Sequence, residues 1–180
     1  MSNISPEFAL LGFLVAGPCH GYDLHQKFQV ELGDVWHLSQ SQAYAILKRL
    51  ETRGDISSQL VEQDKLPARQ ILHITPSGKS RFEEWLYRAG HNARAIRLEF
   101  LTRLYFTLQY HPDQAARIYE TQCLEIRASI QRLESLLAHL PPNQPYNRLS
   151  LDLRLRQLRL IRDWMHEIQA QFDIPNEVTQ

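Results

Sequence analysis

The sequence predicts a mainly α-helical chain with a small β-hairpin in its first half and a long helical arm in its second half. Residues 1 to about 80 consist of short segments separated by turn signals that contain Gly or Pro. From about residue 81, apolar side chains recur at intervals of three and four over much longer stretches, as in amphipathic helices. We therefore predict two domains, a small mixed domain over residues 1–88 and a helical domain over residues 89–180.

Composition and charge exclude several classes of protein. The chain has 180 residues, of which 43% are hydrophobic, as expected for a folded protein with its own core. The 20 Lys and Arg residues equal the 20 Asp and Glu residues, so the overall charge gives no indication of nucleic acid. No apolar run approaches the ~20 residues of a membrane-spanning helix, and no signal peptide is apparent. With only two cysteines, we expect a reduced, cytoplasmic protein that does not enter a membrane.

Motifs for enzymatic chemistry are missing from the sequence. It contains no glycine-rich phosphate loop, no nucleophile elbow and no HExxH pair. Its eight histidines and two cysteines do not have the spacing of a zinc tetrad. We therefore expect no metal, no other cofactor and no enzymatic activity.

Three short helices are predicted before the hairpin. The first covers residues 6–16, is almost wholly apolar and ends at a Gly-Pro pair, and the second covers residues 22–32. Ser39, followed at the third position by Gln42, fits a capping box at the start of the third helix. This helix carries one apolar stripe and ends near Gly54.

The opposite face of the third helix is polar. It presents Gln40, Ser41, Tyr44 and Lys48, which can hydrogen-bond to base edges and phosphates, mainly from the first turns. A helix that enters the major groove of DNA needs such groups near its N-terminal end. For an isolated amphipathic helix the alternative, a solvated surface face, is the commoner interpretation.

The elements that follow favour the DNA-binding interpretation. Residues 56–61 and 71–75 read as two strands, and the polar loop between them carries Lys65 and Arg69 near its tip. Thr75 and Pro76 then open a further helix as its N-cap and first residue. The order helix, helix, helix, hairpin, helix predicts a winged helix-turn-helix domain, in which the wing can lay Lys65 and Arg69 along phosphates or in the minor groove.

At this point the chain resembles the PadR family of transcriptional regulators. The resembling stretches are LLGFL at 10–14, GPCHGYDL at 17–24, SQSQAYAILKRLE at 39–51, Gly54, PAR at 67–69, ITPSGK at 74–79 and RLEFLTRLYF at 97–106. Together they cover about residues 8–106, and the long C-terminal helices resemble the long-armed subgroup.

The resemblance implies a homodimer that binds an inverted-repeat operator in double-stranded DNA, usually as a repressor. It implies that the residues near DNA are Tyr22, Gln40, Gln42, Tyr44, Lys48 and Arg69, to which we add Ser39, Ser41 and Lys65 from the pattern itself. Gln70 and Leu72 depart from the family's usual basic and aromatic residues in the wing. The resemblance also implies small aromatic effectors, which Phe82 and Trp85 could bind, although a core or interface role is the more common one for such residues.

The charge of the first domain indicates that two copies of this domain must act together to bind DNA. Residues 1–80 hold seven Lys or Arg and eight Asp or Glu, a formal charge of −1. Because phosphate neutralisation usually drives affinity for DNA, one such domain should bind weakly, whereas two on one operator would compensate. The near-neutral charge also supports a rival interpretation, a winged helix that binds protein without specific DNA binding.

The arm is predicted to be an antiparallel pair of helices. Residues 112–140 and 148–172 each carry an apolar seam, and the Pro-rich link at 141–145 folds them back on each other. A second apolar stripe would stay exposed in a lone hairpin, and we predict that it meets the other subunit together with helix 95–110. The predicted dimerisation residues are Phe100, Leu104, Leu108, Leu149, Leu153, Leu160 and Trp164.

A run of arginines accompanies this arm. It comprises Arg148, Arg154, Arg156, Arg159 and Arg162. The run could add phosphate contacts, but its place on the arm favours a solvated face whose arginines pair with acidic neighbours.

Overall fold

The computed structural model describes residues 4–63, 66–172 and 174, with backbone only at 62, 63 and 66–69. The chain divides into two compact units, residues 1–86 and 87–180, whereas the predicted boundary lies between residues 88 and 89. In the first unit the elements are α1 (Glu7–Val15), β1 (Cys19–His20), α2 (Gly21–Leu32), α3 (Gln40–Thr52), β2 (Ile56–Gln63), β3 (Leu66–Ile74) and α4 (Pro76–Leu86). In the second they are α5 (Ala93–Ala95), a π-helical segment (Ile96–Phe100), α6 (Leu101–Tyr110), a 3₁₀ turn (Pro112–Gln114), α7 (Ala115–Ala138) and α8 (Pro145–Gln171).

Helix α1 lies at the centre of the first unit. It packs against α2, α3, α4 and β3, which explains why the predicted first helix is apolar on all sides. Leu10 and Leu11 of α1 are fully buried, as are Phe28 of α2 and Leu50 of α3. The predicted order of helices and hairpin is confirmed, so the fold class is mainly α with a small β-hairpin wing in a winged helix-turn-helix unit.

The sheet has three antiparallel strands in the order β1-β3-β2. Strands β2 and β3 pair from Ile56 opposite Ile74 to Val61 opposite Arg69, with a register shift between Val61 and Gln63. They extend over residues 62–63 and 66–69, within the stretch that the sequence predicts as a loop, because backbone pairing in a two-stranded ribbon does not require apolar side chains. Strand β1 is not predicted at all, since two residues are too short for a periodic signal.

Two turns connect α3 to the hairpin and the hairpin to α4. Gly54 has a φ of 80°, Asp55 N donates to Leu50 O at 2.9 Å, and Gly54 N donates to Glu51 O at 3.0 Å, which together form a Schellman motif. Thr75 Oγ1 accepts a hydrogen bond from Gly78 N at 3.1 Å, so the predicted N-cap of α4 is confirmed.

The second unit is built on the antiparallel pair α7 and α8. Tyr119 Oη donates to Met165 O at 3.0 Å, and Arg159 Nη2 donates to Glu134 Oε1 at 2.7 Å. The later residue of α7 thus contacts the earlier residue of α8, so the two helices run in opposite directions. This confirms the predicted antiparallel arm. The predicted helix 95–110 contains the π-helical segment, which was not predicted. In the described part of the chain, no helix is both long enough and apolar enough to cross a membrane.

Candidate nucleic-acid interface

The exposed face of α3 carries most of the residues predicted to contact DNA. Four positions, Ala43, Ile46, Leu47 and Leu50, are buried against the core of the first unit. The remaining predicted residues of this helix are all exposed: Ser39, Gln40, Ser41, Gln42, Tyr44 and Lys48. The helix therefore presents hydroxyl, amide, phenol and ammonium groups from its first turn to its third.

The predicted capping box is present at the start of α3. Ser39 Oγ accepts from Gln42 N at 3.3 Å, and Gln42 Oε1 accepts from Ser39 N at 3.0 Å. Because the carbonyl oxygen of the Gln42 side chain is used in this cap, its amide nitrogen is the group left to donate to a ligand. Gln42 therefore has a structural role in addition to the predicted contact role.

Tyr44 lies against the beginning of α2. The nearest atom to a Cβ built on Gly21 would be Tyr44 Cε1, at 3.2 Å. His20 caps this helix, because its Nδ1 accepts from Tyr22 N at 3.1 Å, and Tyr22 itself is 49% exposed. A surface cavity of about 340 Å³ adjoins these residues, lined by His20, Gly21, Tyr44, Leu47, Lys48, Glu51, Gln70 and Leu72.

Two residues of α2, not singled out by the sequence, hold the residue before the Ser39 cap. His25 Nε2 lies 3.0 Å from Leu38 O, and Gln29 Nε2 donates to the same carbonyl at 2.6 Å. His25 is buried, so with its ring nitrogen donating, both side chains fix the chain where α3 begins. Their spacing of four on α2 places them on one face, but nothing local identifies the carbonyl that they bind.

An ion-pair cluster at the base of the wing, not predicted from the sequence, engages two arginines. The buried carboxylate of Asp55 contacts Arg53 Nε at 2.6 Å and also Arg81 Nη1, and Glu7 Oε1 lies 3.4 Å from each guanidinium. Burial tends to lower the pKa of Arg53, but Asp55 and Glu7 outweigh it and raise the pKa. These two cations therefore serve the fold and add little to any contact with phosphates.

The wing contributes less to the described site. Lys65 lies outside the described residues, and Arg69 is placed by its backbone alone, in β3 opposite Val61. On the neighbouring strand β2, Leu60 and Val61 are 72% and 41% exposed. The predicted wing contacts of Lys65 and Arg69 stay predictions.

The two residues predicted for an aromatic effector lie in the core of the first unit. Phe82 and Trp85 are 1% and 3% exposed, and the Trp85 ring stacks on Phe8 at 5.0 Å between centroids. This burial gives them the packing role that the sequence analysis favoured.

The predicted dimerisation residues divide into two groups. Phe100 and Leu104 are 0% and 3% exposed in the single chain, so in this conformation they are not available to a partner. The reason is that helix 95–110 packs its apolar side within the unit, and the predicted dimerisation role of these two residues stays a prediction. Leu108 and Trp164 are half-buried, whereas Leu149, Leu153 and Leu160 are the exposed members of the set.

Comparison with known proteins finds a family and a relative that this chain resembles. Residues 10–84 match the model of the transcriptional regulator PadR-like family. The negative transcriptional regulator PadR of Bacillus subtilis is 29% identical over 140 residues, which cover 76% of this chain and 77% of the relative.

Two crystal structures of Bacillus subtilis PadR are also similar. The one in complex with operator DNA is 26% identical, with a TM-score of 0.46, and the match covers 92% of this chain and 96% of that one. The complex with p-coumaric acid is 28% identical, with a TM-score of 0.42, and covers 93% and 95% of the two chains. The matched family is one of transcriptional regulators. Residues 10–84 of this chain are therefore similar to the PadR-like family of transcriptional regulators, the family that the sequence resembles.

Proposed function

We propose that this regulator represses transcription as a homodimer whose two α3 helices read an inverted-repeat operator. The observation that carries the proposal is the exposed polar face of α3, whose first turn is fixed by the Ser39–Gln42 capping box. A recognition helix must offer hydrogen-bonding groups at its N-terminal end on a backbone that does not fray, and α3 meets both requirements.

Each proposed contact follows from the chemistry of its side chain. Gln40 and the free amide of Gln42 can bond base edges, of which adenine is the usual partner of a bidentate amide. Tyr44, Ser41 and Lys48 can bond bases or phosphates. The proposed DNA-binding set is Tyr22, Ser39, Gln40, Ser41, Gln42, Tyr44, Lys48, Lys65 and Arg69.

The homodimer is supported by charge and by the arm. Residues 1–80 have a formal charge of −1, from seven Lys or Arg against eight Asp or Glu, and Arg53 is engaged with Asp55. A single domain with so few free cations should bind DNA weakly, and a second domain held on the same operator raises the effective concentration. Leu149, Leu153 and Leu160 form an exposed apolar stripe on α8, and we propose that it packs against the second subunit.

The sign of regulation comes from the relatives. The family resemblance favours repression, and the similar protein of Bacillus subtilis is a negative regulator. A response to a small aromatic effector stays a separate prediction, as does the cytoplasmic location.

Selection of duplexes from a random pool by the full-length protein tests the proposal. We expect the selected sequences to contain inverted repeats and their affinity to fall steeply with salt, because binding releases counterions from the phosphates. Tyr44→Ala and Gln42→Ala should each remove the sequence preference while leaving the oligomeric state unchanged. Gln131→Ala, an exposed amide on α7, is the matched control and should select the wild-type sequences.

The alternative is a winged helix that binds another protein without specific DNA binding. The near-neutral charge of the first domain favours it. Binding to duplexes that is absent, or insensitive to salt and to Tyr44→Ala, would support this alternative and contradict the proposal.

A further inference from the structure

One carbonyl oxygen just before α3 accepts two hydrogen bonds from α2. Leu38 O lies 3.0 Å from His25 Nε2, and Gln29 Nε2 donates to it at 2.6 Å. Since a carbonyl oxygen only accepts, the His25 ring must carry a proton on Nε2. The two nitrogens lie 3.3 Å apart because they share this acceptor. Two donors match the two lone pairs of the Leu38 oxygen, so α2 sets the direction of this carbonyl.

The two donors differ in their surroundings. His25 is 9% exposed and Leu38 is 5% exposed, so water does not readily replace the histidine as a donor. Within the described residues, His25 Nδ1 is buried without a hydrogen-bond partner, and the bond to Leu38 O therefore orients the ring. Gln29 is an exposed residue, and a substitution there does not disturb the core.

The Leu38 carbonyl and the Ser39 amide belong to the same peptide unit. A peptide unit is planar, and none of the described peptide bonds is cis, so this carbonyl and this N–H point in opposite directions. Fixing Leu38 O therefore also fixes the direction of the Ser39 N–H. That N–H donates to Gln42 Oε1 at 3.0 Å as one half of the capping box. One rigid unit thus connects the donors of α2 to the Gln42 side chain.

The orientation of Gln42 matters because its side chain is exposed on α3. Its Oε1 is held by Ser39 N, and its amide nitrogen is the group left to donate. A side-chain amide is planar, so holding the oxygen restricts the directions in which the nitrogen can donate. A hydrogen bond weakens steeply when its donor is misdirected.

We propose that His25 and Gln29 are positioning residues for operator recognition. Through the Leu38–Ser39 peptide unit they hold the Gln42 amide in the orientation that reads a base. This inference rests on the proposed function, in which Gln42 contacts the operator, and neither positioning residue needs to touch DNA. Their loss should lower affinity for the operator and spare other duplexes, whose binding depends on phosphate contacts.

Hydrogen exchange of the full-length protein, followed by NMR without DNA, tests the first part of this connection. Gln29→Met removes the donor and keeps a long, unbranched side chain of similar helix propensity. We expect the Ser39 amide to exchange about fivefold faster, as for the loss of one typical hydrogen bond. The amide of Leu50, a buried residue of the same helix, should exchange as in wild type. Gln26→Met, at an exposed position of α2, is the matched control and should leave Ser39 exchange unchanged.

Fluorescence anisotropy with the duplex selected by the wild-type protein tests the second part. Gln29→Met should lower affinity for this duplex about fivefold and leave affinity for a scrambled duplex unchanged. His25→Gln, whose amide nitrogen can replace Nε2 as a donor, should bind like wild type, whereas His25→Leu should show the loss. In a Gln42→Ala background, Gln29→Met should have no further effect, because the amide that it positions is gone.

The two experiments separate this inference from the operator proposal. A wild-type protein that prefers no sequence would contradict the operator proposal, and with it any role of α2 in recognition. Unchanged Ser39 exchange in Gln29→Met, or equal acceleration at Leu50, would overturn the positioning role alone. Equal losses on the selected and scrambled duplexes, or additive losses with Gln42→Ala, would also overturn it.

Discussion

The ring of Tyr44 lies so close to Gly21 that a methyl group at residue 21 would meet Tyr44 Cε1 at 3.2 Å. This contact joins the first residue of α2 to the middle of the exposed face of α3. Glycine at residue 21 therefore sets the position of the tyrosine ring that we propose to contact DNA.

Gly21→Ala is expected to lower operator affinity by displacing that ring. The backbone of residue 21 is helical, where alanine is otherwise favoured over glycine, so the free energy of unfolding should change little. The measurement is a double-mutant cycle with Tyr44→Ala in a gel-shift titration. If Gly21 acts through Tyr44, the alanine has no further effect once the ring is removed; additive losses would show that it acts elsewhere.

Loss of the capping box is expected to destabilise α3. Ser39→Ala should lower the free energy of unfolding by about 1 kcal/mol, because the amide of Gln42 loses its acceptor. Ser39→Asp should retain most of the stability, since aspartate is an equally good cap. Urea denaturation measures the free energy of unfolding of both variants. Ser41→Ala, at an exposed position two residues after Ser39, is the control and should change it little. Equal effects of Ser39→Ala and Ser41→Ala would contradict the structural role of the cap.

Asp55→Ala is expected to lower the free energy of unfolding more than a substitution at an exposed ion pair does. The carboxylate is buried, and its removal leaves the Arg53 and Arg81 guanidinium groups with only Glu7, 3.4 Å from each, as a paired anion among the described residues. Since both arginines are partly exposed and can be hydrated, we expect a loss of about 2–3 kcal/mol, below the usual range for a fully buried pair. Asp163→Asn, at an exposed pair on α8, should cost less than about 1 kcal/mol in the same urea titration. Similar losses for the two variants would show that the cluster does not stabilise the wing base.

Charges placed on the exposed stripe of α8 are expected to dissociate the dimer. Leu153→Asp and Leu160→Asp change positions 58% and 71% exposed in the single chain, so the protomer should stay folded. Burying an unpaired carboxylate at a subunit interface is unfavourable, and sedimentation equilibrium should therefore detect monomers. Leu124→Asp, at a position 63% exposed on α7, is the matched control and should remain dimeric. A wild-type protein that is monomeric at all concentrations would contradict the homodimer itself.

Glu125 is expected to make a pH-dependent contribution to stability. Although burial opposes it, hydrogen bonds from Arg132 and Ser129 lower the pKa of this carboxyl below its ordinary value of 4.5. Its contribution is therefore present above about pH 4.5 and is lost as the pH falls through the lower, folded-state pKa. Thermal denaturation should show wild type more stable than Glu125→Gln near neutral pH, with a difference that shrinks in acid. A difference independent of pH would argue against an ionised, paired Glu125.

Local sequence signals were sufficient to predict the ends of the helices in the first unit that are capped by nearby residues. Ser39 and Gln42 predict the start of α3, Gly54 marks its end, and Thr75 predicts the cap of α4, because each satisfies backbone groups within a few residues of itself. The exposed face of α3 was predictable for the same reason, since a 3.6-residue period assigns every position to one side or the other.

Contacts between residues far apart in sequence were not predictable from such signals. Three sets of contacts depend on where other elements lie. They are the hydrogen bonds of His25 and Gln29 to Leu38 O, the ion pair of Asp55 with Arg81, and the hydrogen bonds of the Gln122 side chain to the backbone of Gly90 at 2.7 and 2.8 Å. The burial of Phe100 and Leu104 within the unit was not predictable either, because a helical period gives the apolar face of a helix but not the element that covers it.

The sequence by itself determined which residues form α3 and which of its side chains face outward, because capping and helical periodicity are local properties. Only the tertiary structure decided that the guanidinium groups of Arg53 and Arg81 are engaged with the buried carboxylate of Asp55. The physical reason is that the state of a charge depends on the groups packed around it, and packing is fixed by the fold as a whole.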